Sequence, residues 1–175
     1  MKYKSTVLLF FVSTFVFSQI IEWSPNTKLN KNDFRGKIPD NTINHAGTAS
    51  NIGYEVVSTS IWTGRIKMRT YAIFSKSESW LNEDFYTEDL LNHEQKHFDI
   101  TQIFACKLQR SINKEIRIPQ DYYSKFSTLN TAIGDEYLKF QEKYDAETDH
   151  GTKLDVQKNY DKMIGLLLEE NCQRK

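Results

Sequence analysis

The sequence predicts a single α+β domain, in which a small antiparallel sheet is followed by three helices and the first helix carries a pair of histidines set for a metal. Three observations predict it. The stretches "IGYEVVSTSIW" and "RIKMRTYAIF", between Ile52 and Phe74, are rich in β-branched and aromatic residues and alternate around a turn at Thr63 and Gly64. After Trp80 that alternation gives way to apolar residues at helical spacing, in three successive stretches. The stretch "LLNHEQKHFDI", residues 90 to 100, sets two of the chain's four histidines four residues apart, with Glu94 directly after the first.

The first 18 residues have the character of a cleavable secretory signal. Lys2 and Lys4 precede an apolar run from Val7 to Phe17, and Val16 and Ser18 are small enough for the −3 and −1 positions of a cleavage site. That run is shorter than the roughly 20 residues a spanning helix needs. The expectation is a secreted or periplasmic protein whose single domain, residues 19–175, has no membrane span. The chain's net charge is zero, and no basic stripe marks a nucleic-acid partner. Export would permit a disulfide between Cys106 and Cys172, worth about 4 kcal/mol in the chain-entropy model. Two buried free thiols fit the sequence nearly as well, while the wide spacing excludes a zinc ribbon or a CxxC redox pair.

Residues 19–47 contain Pro25, Gly36, Pro39, Gly47 and many Asn without a sustained period, which predicts an irregular lead-in with short strand pieces. The strand "RIKMRTYAIFS" is expected to border the cleft and offer exposed backbone to an extended peptide. Thr87, followed by Glu88 and Asp89, is a helix N-cap with acids in its first turn, and His93, His97, Ile100, Phe104, Leu108 and Ile112 then repeat at helical spacing. Pro119 should end that helix. Tyr122, Phe126, Leu129, Ile133, Tyr137, Phe140 and Tyr144 form the aromatic stripe of a second helix. The third, through Leu154, Tyr160, Ile164, Leu167 and Leu168, follows Thr152 with Asp155 three later, a spacing like that of a capping box.

On a helix, His93 and His97 stack one turn apart about 40° around the axis, so both imidazoles can reach one point while Glu94 points beside it. This is the geometry of HExxH, in which two neutral imidazoles hold Zn²⁺ and the glutamate serves as general base. Four His and 12 Glu placed at random in this chain would give roughly 0.006 such matches, so coincidence is a poor explanation. A catalytic zinc needs a third protein ligand. Ile100 and Ile103 occupy the glycine and third-histidine positions of one known solution, and Glu136 and Glu142 lack a recognisable context for another. His45 lies in the lead-in. His150, beside the turn-permitting Gly151, is the better candidate, with Asp145, Glu147 and Asp149 as carboxylate alternatives. Tyr144 reads either as the last core aromatic of its stripe or as a phenol donating to an oxyanion. Asp99 reads as a supporting or surface carboxylate.

These residues resemble a family of secreted bacterial proteins, thought to be zinc-dependent proteases, grouped as domain of unknown function 922. The similarity rests on "IIEWSPNTKLNKNDFRGKI", on Ser79 and Trp80 before the helix, on "HEQKHFDI" and on "YDAETDHG". The opening departs from the family pattern in carrying Lys31 where relatives often have a second Trp. The resemblance implies a zincin-like fold, Zn²⁺ on His93, His97 and His150, and hydrolysis of a peptide or protein substrate with Glu94 as base. The expectation is thus a secreted zinc metalloprotease; the alternative is a non-catalytic zinc-binding envelope protein or an interaction module.

Overall fold

The computed structural model describes residues 19–172, so the expected signal lies outside the described residues. The domain is α+β, with small antiparallel ladders followed by three helices, as the sequence predicts. A three-stranded sheet has the order β1 (Ile20–Glu22), β4 (Ile66–Ser75), β3 (Ser50–Thr59), and β2 (Ala46–Gly47) pairs separately with β5 (Trp80–Leu81). The helices are α1 (Glu88–Glu115), α2 (Pro119–Thr148) and α3 (Leu154–Cys172). No described helix is long and apolar enough to cross a membrane.

The first helix is the centre of the domain because both of its flanks are apolar. On one flank Ile100, Ile103, Phe104, Leu108 and Ile112 share a buried cluster with Phe126, Ile133, Tyr144, Tyr160 and Ile164 of α2 and α3. On another, Phe98 packs with Leu29, Ala72 and Phe74 under the sheet. Each fully buried phenylalanine here contributes roughly 1.5–3 kcal/mol. The irregular opening segment is held to the back of α1 through polar ties. Trp23 Nε1 donates to Asp99 (2.9 Å), and the Leu29 amide donates to Gln95 Oε1 (2.8 Å). Asp33 pairs with Lys76 at 3.0 Å, Phe34 meets Phe74 edge-on, and the Lys31 ammonium lies over the Tyr86 ring. Asp99, which also accepts from Gln95 and Lys96, is therefore a buried fastening for the opening segment.

Three expectations are corrected. β4 is no cleft edge: β3 pairs along one side, and on the other β1 takes only Ile73 to Ser75. Beyond β1, side-chain amides of α1 take the place of a strand, since the Ala72 amide donates to Gln102 Oε1 (3.0 Å) and the Thr70 amide to Gln109 Oε1 (2.8 Å). Gln109 Nε2 in turn donates to the Met68 carbonyl. Pro119 opens α2 at its first turn, where its missing N–H costs nothing, and α1 has already ended at the extended residue Ile116. Thr152 does not cap α3 through Asp155; its hydroxyl donates to the Asp149 carbonyl at 2.8 Å within the turn.

A disulfide joins Cys106 on α1 to Cys172 at the end of α3. Closing a loop of this length should stabilise the fold by about 4 kcal/mol. Denaturant unfolding of the oxidised protein against the Cys106→Ser/Cys172→Ser variant should show a loss of that size, and equal stabilities would contradict it.

Candidate metal centre

The Thr87 hydroxyl accepts the Leu90 amide (3.0 Å) and starts α1 less than two turns before His93. The His93 ring is buried against Tyr144, stacked at 4.7 Å and 18°. It is also pinned by Gly151, where a Cβ would come within 2.9 Å of the His93 Cβ and Cγ. The chain can pass so close because Asp149, His150 and Gly151 are all left-handed, with φ of 52°, 50° and 84°. This turn brings the end of α2 back onto the start of α1.

Neighbouring amides fix the tautomers of both histidines. Gln157 Nε2 donates to Asp161, which leaves Gln157 Oε1 facing His93 Nδ1 at 3.1 Å. Gln141 Nε2 donates to the His97 carbonyl, which leaves Gln141 Oε1 facing His97 Nδ1 at 2.7 Å. An amide oxygen only accepts, so both Nδ1 atoms carry a proton, and in the neutral imidazoles both Nε2 atoms present lone pairs. Those two Nε2 atoms lie 3.1 Å apart, and Asp145 Oδ1 lies 3.1 Å from the first and 2.9 Å from the second. Three lone-pair donors thus form a nearly equilateral triangle. Tetrahedral zinc with bonds of about 2.0–2.1 Å spaces its donors at roughly 3.3 Å, so the set suits such an ion.

The charge balance of the set is equally pointed. Without a metal, a proton on Nε2 takes the place of the cation: burial alone would raise the Asp145 carboxyl, but hydrogen bonds and charge from the protonated rings of His93 and His97 outweigh it and hold the group well below the usual carboxylate range. Burial would lower His97, yet the bond to Asp145 and the charges of Glu94 and Asp145 hold it above its ordinary value. The Glu94 side chain is buried beside the triangle, and among the described residues its Oε2 is the buried side-chain atom that lacks a hydrogen-bond partner. In the neutral state, two facing lone pairs, a carboxylate and an orphaned carboxylate oxygen form a donor set that could hold a cation.

The remaining sequence candidates fall into place around this set. His150 joins it from the side, half exposed, with Nδ1 3.7 Å from Asp145 Oδ1. The ligand atoms of His93, Asp145 and His150 all lie within 4.8 Å of one another. Asp145, weighed against His150 in the sequence, is the closer partner of both helix histidines. Tyr144 is a core aromatic: fully buried, its hydroxyl donates to Gln157 Oε1 (2.9 Å) and does not face the cavity, so the oxyanion role has no geometric basis. Burial pushes its phenol far above the ordinary range, which keeps it a donor. His45 stacks on Phe85 at the cavity rim, with centroids 3.9 Å apart, and stays outside the donor set. The cavity, of about 710 Å³, is bordered by β2, the start of α1, α2 and the α2–α3 turn. Glu94 lines it.

The sequence reading missed Gln141 and Gln157. The one available signal was helical spacing, since Gln141 stands one turn before Asp145.

Residues 68–151, a little under half of the chain, match the family model described as bacterial protein of unknown function (DUF922). The match spans β4, the HExxH helix and the turn through Gly151, and it supports the family resemblance. No curated protein and no solved structure matches the chain.

Proposed function

We propose that this chain is an exported zinc-dependent peptidase of zincin-like design, in which His93, His97 and Asp145 hold the metal and Glu94 is the general base. The observation that carries the reading is the triangle of two Nε2 lone pairs and one carboxylate oxygen, with an unpartnered glutamate oxygen beside it at a cavity wall. A zinc ion bound there would polarise a substrate carbonyl and ease deprotonation of a water molecule. Glu94, lacking a partner, is free to accept that proton and return it to the leaving amine. Gln141 and Gln157 keep the Nδ1 protons in place, so that the Nε2 lone pairs stay aimed at one point. Tyr144 supports the same arrangement from below, through the stacked His93 ring and the bond to Gln157. β2, at the cavity wall, pairs with β5 in a two-stranded ladder, and an extended peptide would lie along it.

One observation favours a second reading. If His150 closes the fourth position, the centre becomes a structural zinc site in a non-catalytic protein. Incubation of the zinc-loaded protein with an unfolded protein substrate separates the two. Cleavage that stops on chelation and returns with zinc supports the peptidase, whereas a protein carrying one zinc that cleaves nothing supports the structural site.

A further inference from the structure

The β3–β4 hairpin ends in the most exposed large apolar pair of the described residues. Ile61 is 89% exposed and Trp62 92%, and a Cβ at the adjoining Gly64 would meet nothing within 4 Å. The hairpin tip is therefore open to solvent. It does not stand alone at that end. The Ile66 amide donates to the Arg117 carbonyl (2.9 Å), which brings the α1–α2 turn alongside, with Ile118 exposed and Tyr123 81% exposed.

Around these apolar groups the charge is basic. Arg65, Lys67 and Arg117 are exposed, and among the described residues no carboxylate pairs with them. The carboxylates nearby, Glu115 and Asp121, are each matched by a lysine, Lys114 and Lys125. An exposed Trp and Ile with unmatched cations behind them suit the interface of an anionic bilayer, where indole settles at headgroup level and cations meet lipid phosphates.

We propose that the Ile61–Trp62 hairpin tip, backed by Arg65, Lys67 and Arg117, docks peripherally on an anionic phospholipid surface. The metal centre sits near the opposite end of α1. His93 and Glu115 are separated by about 33 Å at 1.5 Å per residue, so docking by the tip engages the end of α1 remote from the metal centre. This proposal is independent of the zinc reading.

The test uses vesicles of phosphatidylcholine with about a third phosphatidylglycerol, compared with phosphatidylcholine alone. Wild-type protein should co-sediment with the anionic vesicles and lose this binding at high salt, and its tryptophan emission should shift to the blue. Trp62 is the tryptophan placed to report, since Trp23 is tied to Asp99 and Trp80 lies in β5. The Ile61→Ser/Trp62→Ser variant removes no packing contact and should fold normally, yet bind the anionic vesicles at least about tenfold more weakly. Equal binding by variant and wild type would overturn the proposal, as would no vesicle binding at all. Self-association that requires Trp62 and persists without lipid would overturn it in favour of a protein partner.

Discussion

Glu94→Gln should keep one zinc per chain and lower peptide hydrolysis by roughly 10²–10⁴-fold, the range a positioned general base contributes. The amide has the size of the carboxylate and cannot accept the proton, while the three metal donors are left untouched. Folding should not suffer. In the metal-free protein a buried carboxylate with an unpartnered oxygen is a destabilising group, so its neutral replacement should leave the unfolding midpoint equal or higher. Wild-type rates in Glu94→Gln would remove Glu94 from the chemistry. Loss of zinc in the same variant would place it among the ligands instead.

The parts of this account that were legible in the sequence are those with a period. Strands β3 and β4 alternate at two, and α1 to α3 repeat at helical spacing, so their existence and order followed directly. The histidine pair was legible for the same reason, because HExxH is a statement about helix geometry. What escaped the sequence depends on long-range contact. The bare side of β4 resembled a free edge until the tertiary fold brought Gln102 and Gln109 against it. The sequence favoured His150 over Asp145 as the third ligand, whereas the left-handed residues that end α2 leave the His150 ring half exposed and Asp145 turned onto both helix histidines. Tyr144 was open between the two roles, core aromatic of its stripe or oxyanion donor, and only its burial and the hydrogen bond to Gln157 assign it to the core. The opening segment was legible as a pattern but not as a mechanism. Its Trp23 and Leu29 are fastened to Asp99 and Gln95, both on the helix that carries the histidines.

Removing the Asp145 carboxylate should be the most damaging change to metal binding after loss of a helix histidine. It is the oxygen that closes the triangle, 2.9 and 3.1 Å from the two Nε2 atoms, and without it two uncharged donors remain for a divalent ion. Asp145→Ala should weaken zinc binding by more than the 10–100-fold typical of losing a supporting group. His150→Ala, which removes a half-exposed ring 3.7 Å from Asp145, should retain a full equivalent of zinc with a smaller loss of affinity. The opposite ranking would give the third position to His150.

All of this stands on the presence of the ion. The most direct test is the metal content of wild-type protein purified from its native compartment without chelators, determined by elemental analysis against protein concentration. The account predicts one zinc per chain, absent from the His93→Ala and His97→Ala variants. A folded wild type that carries no metal, and takes up none when zinc is offered, would contradict it.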